Sequence, residues 1–89
     1  MIERDITVTN KLGLHARASA KLVQTTSGFR SSIKMSAKGR EIDAKSIMGV
    51  MMLAAGQGTL VTLRIDGEDE QAAMAAALDL FTRNFDEGS

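Results

Sequence analysis

Asn10-Lys11-Leu12-Gly13-Leu14-His15-Ala16-Arg17-Ala18-Ser19-Ala20 is the stretch in which the hydrophobic period changes. Before it, Ile6 and Val8 alternate with Asp5, Thr7 and Thr9, the spacing of a half-buried strand over Ile2–Thr9. After it, apolar residues recur at helical spacing. The stretch is therefore a strand-to-helix junction, and the single histidine of the chain stands on it. A helix N-terminus offers backbone N–H groups with no intrahelical partner and the positive end of the helix dipole. Arg17 adds a full charge two residues on. Such a site favours an anion, so a histidine placed there points to phosphate chemistry.

On the C-terminal side, Ala16, Ala20 and Val23 share one helical face with Leu22 beside them, and Gly28 is the expected stop, giving a helix over about 15–27. Phe29, Ser31, Ile33 and Met35 line one face of a second strand. Lys38-Gly39 can turn the chain, and Ile42 and Ala44 return on a short third strand. Ser46 suits the N-cap of a short helix through Ile47, Val50, Met51 and Leu53, ended by Gly56-Gln57-Gly58. Val61, Leu63 and Ile65 form a fourth strand. Glu68, Asp69 and Glu70 place negative charge at the start of a last helix with an apolar stripe of Met74, Ala77, Leu78, Phe81 and Phe85. Asp86-Glu87 is expected as a solvated tail.

The order is β-α-β-β-α-β-α. One-sided strands and helices are best buried as two layers, a sheet with one face in water and helices on the other. The expected class is α+β, an open-faced β-sandwich with a four-stranded antiparallel sheet and three helices on one face. A ferredoxin-like split βαβ fold shares the leading order, and pattern alone leaves both open.

Composition narrows the function. At 89 residues, 1–89 is expected to be a single domain. Eleven basic residues balance eleven acidic ones, and three Phe with no Trp or Tyr leave few stacking partners, so no nucleic-acid partner is expected. Cysteine is absent and there is one histidine, so the chemistry calls for no metal and no cofactor. The glycines stand in no GxGxxG or Walker pattern. The N-terminus is charged at once and no apolar run approaches the ~20 residues that span a bilayer, which argues against membrane insertion and for a cytoplasmic protein.

Gly13-Leu14-His15-Ala16-Arg17, followed about thirty residues later by Lys45-Ser46-Ile47-Met48-Gly49-Val50, resembles the histidine-containing phosphocarrier (HPr) family of the bacterial phosphoenolpyruvate-dependent sugar phosphotransferase system. Family members often carry Pro where this chain has Ala18, a change that keeps a good helix former. The resemblance implies the open-faced sandwich. It implies that His15 takes a phosphoryl group on Nδ1 from enzyme I and passes it to enzyme IIA components, as a substrate of enzymes rather than a stand-alone catalyst. It also implies that Ser46 is phosphorylated by HPr kinase/phosphorylase and that Ile47 and Met48 belong to a docking patch. A monomer is expected.

The chemistry of the residues agrees. Neutral imidazole offers an unprotonated nitrogen near neutral pH, and a phosphoramidate is labile enough to hand its phosphoryl group on. The backbone N–H of Ala16 and the guanidinium of Arg17 can meet the equatorial oxygens of the group in transfer. A phosphate on Ser46 would sit where a helix dipole tolerates it and would alter the surface rather than the fold. Met48, Met51 and Met52 cannot all face the core of one short helix; Met51 is expected inside and Met48 outside, beside Ile47. Two other readings stand beside the carrier: a nitrogen-related paralogue in a regulatory phosphorelay, and a small-ligand-binding regulatory domain of ferredoxin-like fold in which His15 is incidental.

Overall fold

The computed structural model describes residues 1–87. In chain order the elements are β1 (Ile2–Thr7), α1 (Ala16–Thr26), β2 (Ser32–Ala37), β3 (Arg40–Asp43), α2 (Ile47–Met52), β4 (Leu60–Asp66) and α3 (Glu70–Thr82), followed by a 3-10 turn at Asn84–Asp86. The four strands form one antiparallel sheet in the order β1-β4-β2-β3. β4 lies between β1 and β2, where a ferredoxin-like fold would insert β3, so the ferredoxin-like alternative is excluded.

Period-2 alternation decides which side of the sheet is covered. Ile33, Met35, Val61, Leu63 and Ile65 are buried beneath the helices. Across the open face, Arg64 at the centre pairs with Glu3 of β1 at 2.9 Å and Glu41 of β3 at 3.2 Å, while Thr62 donates to Asp5. Exposed pairs of this kind add little stability, and they keep the face polar and its register defined. Lys38 and Gly39 both have positive φ, the mirror-image turn that suits the twist of a tight hairpin.

Several boundaries and faces differ from the periodicity. β1 stops at Thr7, although Val8 continues backbone bonding to Gly58 and Thr59. β2 begins at Ser32 rather than Phe29, because the Asp69 carboxylate takes the N–H groups of Arg30 and Ser31 away from any ladder. In α1 the buried residues are Ala18, Ser19, Leu22 and Thr26, with Ala16 exposed and Ala20 and Val23 only half covered. Two polar residues can enter this stripe because their hydroxyls are satisfied: Ser19 donates to the Leu14 carbonyl and Thr26 to that of Ala44. α2 buries Val50 and, at its end, Leu53, whereas Met51 is 40% exposed, contrary to its expected place in the core. The helix ends through left-handed Ala54 rather than at the glycines, and Arg40 and Lys38 donate to the carbonyls of Met52 and Ala54.

Candidate functional site

The junction between β1 and α1 is shaped by a close approach of two loops. Gly13 has φ +67°, and a Cβ there would stand 2.5 Å from the Ala55 carbonyl oxygen and 2.7 Å from Gly56 Cα. The Leu14 N–H donates to that same Ala55 carbonyl at 2.9 Å. Glycine is thus required twice over, by conformation and by space. The loop after α2 thereby fixes the residue before His15.

His15 is the N-cap of α1, in extended conformation, and its carbonyl accepts the Ser19 N–H at 2.9 Å. Its side chain is 28% exposed. The Arg17 N–H points at Nδ1 from 3.3 Å. A backbone N–H can only donate, so Nδ1 holds its lone pair toward the helix start and the ring proton resides on Nε2. At that length the bond is weak, and the lone pair stays available to an electrophile. Ala16 and Arg17 are exposed at the first turn, where N–H groups lack intrahelical partners.

Nε2 faces the carboxylate of Glu87. The other Glu87 oxygen accepts from Asn10 Nδ2 at 2.9 Å, and the same Asn10 amide donates to the Gly13 carbonyl at 2.8 Å. Asn10 is fully buried, and its Oδ1 has no partner among the described residues. Burial opposes ionisation of Glu87. The hydrogen bonds from Asn10 and His15 and the charge of Arg17 more than offset it, holding the carboxyl below its ordinary value.

Glu87 is therefore no solvated tail. The tail is tied by Phe85, which is buried with its ring edge-on to Phe81 at 4.9 Å, and by Lys21, which donates to the Phe85 carbonyl at 3.0 Å. The expected helical stripe through Phe85 breaks because α3 ends at Thr82 and Asn84, Phe85 and Asp86 all adopt positive φ. This reversal brings residue 87 back over the start of α1. Sequence reasoning missed both Asn10 and Glu87. The available signal was Phe85 itself, since a buried aromatic two residues upstream leaves Glu87 little room to float free.

An open cleft of about 810 Å³ lies over the ring, bordered by Lys11, Arg17 and Lys21 as well as by Asp86 and Glu87. Asp86 is engaged by Lys21 and Arg83. The cleft thus joins the partly exposed His15 ring, a helix N-terminus and three cationic side chains, an arrangement suited to an anion.

Ser46 is the N-cap of α2, and its Oγ accepts the Gly49 N–H at 3.1 Å. Beside it Ile47 is 42% and Met48 71% exposed, with Met51, Met52 and Leu12 also presenting apolar surface. Ile47, Met48, Met51 and Met52 form the apolar surface of α2, and Leu12 stands exposed on the loop that borders the cleft.

The comparisons with known proteins agree with this fold. The family model "PTS HPr component phosphorylation site" matches residues 2–83. The phosphocarrier protein HPr of Xylella fastidiosa is 64% identical over 87 residues, 98% of each chain. Among solved structures, an HPr from Thermoanaerobacter tengcongensis superposes with a TM-score of 0.94 at 45% identity, covering 98% of both chains. An HPr dimer from the same organism gives 0.77 at 45% identity, covering 96% of this chain and 98% of the other.

Proposed function

The chain belongs to the HPr phosphocarrier family of the phosphotransferase system, and from that premise we propose that His15 is its phosphoryl acceptor, loaded by enzyme I from phosphoenolpyruvate and discharged to enzyme IIA components. The observation that carries this reading is the placement of His15 at the N-terminus of α1, with Nδ1 turned to the first-turn N–H of Arg17, beside a cleft bordered by Lys11, Arg17 and Lys21.

In the transfer, the Nδ1 lone pair attacks phosphorus in line with the bond to the departing donor atom, which leaves with its electron pair. Little covalent work falls to the protein, so catalysis is positioning and charge stabilisation. The Arg17 guanidinium meets the equatorial oxygens, and the first-turn N–H groups of Ala16 and Arg17 contribute further donors. The enzymes on either side supply the remaining groups, and this protein is their substrate rather than a catalyst in its own right. It works as a monomer in the cytoplasm; among the described residues no helix is long and apolar enough to cross a membrane.

Ser46 is the regulatory input, a substrate of HPr kinase/phosphorylase. Its place at a helix cap lets it accept a dianion without loss of α2, and its neighbours Ile47 and Met48 are the apolar surface on which partners dock.

Incubation with labelled phosphoenolpyruvate and enzyme I tests the assignment. Acid-labile label on the wild type and none on His15→Ala is the expected result. Acid-stable label, or full labelling of the variant, contradicts it.

A further inference from the structure

Glu87 takes no part in the transfer as described, yet the structure commits much to its position. Three consecutive non-glycine residues, Asn84, Phe85 and Asp86, hold left-handed conformations with φ of 53°, 55° and 62° to bring it there. Such conformations cost free energy and persist only where the surroundings impose them. Here they are imposed by the buried Phe85 ring, by Lys21 on the Phe85 carbonyl, and by a bond between Thr9 Oγ1 and Asn84 Oδ1. The fully buried Asn10 amide then grips one carboxylate oxygen, leaving the other on His15 Nε2.

We propose that Glu87 is a positioning residue whose carboxylate keeps a proton on His15 Nε2 throughout phosphoryl transfer. This rests on His15 being the acceptor. In the free protein the Nε2 proton leaves the lone pair on Nδ1, so Nδ1 is the nucleophile. When Nδ1 forms its bond to phosphorus, the ring becomes a cation that still carries the Nε2 proton, and the Glu87 carboxylate stabilises that cation. On discharge the P–N bond breaks and its electron pair returns to Nδ1. A neutral imidazole leaves, and no proton has moved at either step. Without the carboxylate, the phosphorylated ring yields its Nε2 proton to water more readily, and the leaving group is then a strongly basic imidazolate. The other charged groups on the cleft, Lys11, Arg17, Lys21 and Asp86, supply no acceptor on Nε2.

The test compares wild type with Glu87→Gln and Glu87→Ala in the full chain, using nitrogen-15 spectra of His15 before and after loading by enzyme I and phosphoenolpyruvate. Wild type is expected to show the Nε2–H form with a proton protected from exchange, and Glu87→Ala to lose that protection. After loading, the variants should exchange the Nε2 proton with water faster than wild type. They should pass label to a IIA component about ten- to a hundredfold more slowly, the factor expected when a hydrogen bond to a charged group is lost. Glu87→Gln keeps the size of the side chain, and thermal unfolding separates a loss of fold from a loss of charge. Identical His15 spectra and transfer rates in all three overturn the proposal while leaving the carrier assignment standing. Absence of label from wild-type His15 overturns both.

Discussion

Gly13 and Ala55 meet so closely that a single added methyl group at residue 13 would lie 2.5 Å from the Ala55 carbonyl oxygen, the acceptor for the Leu14 N–H. Gly13→Ala must therefore both strain a positive φ and push the α2–β4 loop away from the start of α1. We expect destabilisation of about 2–4 kcal/mol, the combined scale of backbone strain and overpacking. Chemical denaturation measures the loss. Nuclear magnetic resonance should place the largest shifts at Leu14, His15 and Ala55.

Asp69 ties the start of α3 to the start of β2. Its carboxylate accepts from the Ser31 hydroxyl and from the N–H groups of Arg30 and Ser31, which hold its pKa down to about 2 from an ordinary 3.8. A carboxyl depressed in the folded state contributes stability that is complete above its unfolded pKa and fades as pH falls through the folded one. Asp69→Asn should therefore lower Tm most above about pH 4, and the difference from wild type should close toward about pH 2. Thermal melts across that range measure it. A constant difference at every pH would mean that the charge is not what the tether uses.

Arg17 is exposed at the first turn of α1 and borders the cleft over His15. Arg17→Ala should unfold at the wild-type temperature and yet transfer about a hundredfold more slowly, the scale seen when one donor to a developing oxyanion is removed. Arg17→Lys keeps the charge without the planar fork and should fall between. Stopped transfer assays with donor and acceptor measure both.

Ser46 separates a structural role from a regulatory one. Ser46→Ala loses the bond from the Gly49 N–H and should cost about 1 kcal/mol of stability, with carrier activity near normal. Phosphorylation at Ser46 puts a dianion beside the apolar surface of Ile47 and Met48. If partners bury that surface, desolvation and repulsion should slow His15 phosphorylation about ten- to a hundredfold. Ser46→Asp should act in the same direction and more weakly. Rates measured alongside circular dichroism distinguish a surface effect from unfolding.

The sheet was legible because Val61, Leu63 and Ile65, or Ile33 and Met35, sit in strict alternation, and the two caps were legible because Ser46 and His15 precede the change to helical spacing. The face of α1 was misread because Ser19 and Thr26 are buried; only tertiary acceptors at Leu14 and Ala44 make that affordable, and a hydropathy pattern does not see acceptors. Met51 of α2 was misplaced because six residues bury one narrow stripe, already filled by Val50 and continued by Leu53. The site was half legible. His15 and Arg17 are neighbours in sequence, whereas Glu87 reaches His15 across 72 residues through a reversal that no local preference of Asn84, Phe85 or Asp86 announces.

The assignment of Nδ1 as the phosphoryl acceptor is tested most directly by finding which atom carries the phosphorus. Wild-type protein labelled with nitrogen-15 and loaded by enzyme I from phosphoenolpyruvate should show phosphorus-31 coupled to Nδ1 of His15, with Nε2 still protonated. Phosphorus on Nε2, or on any residue other than His15, would contradict it.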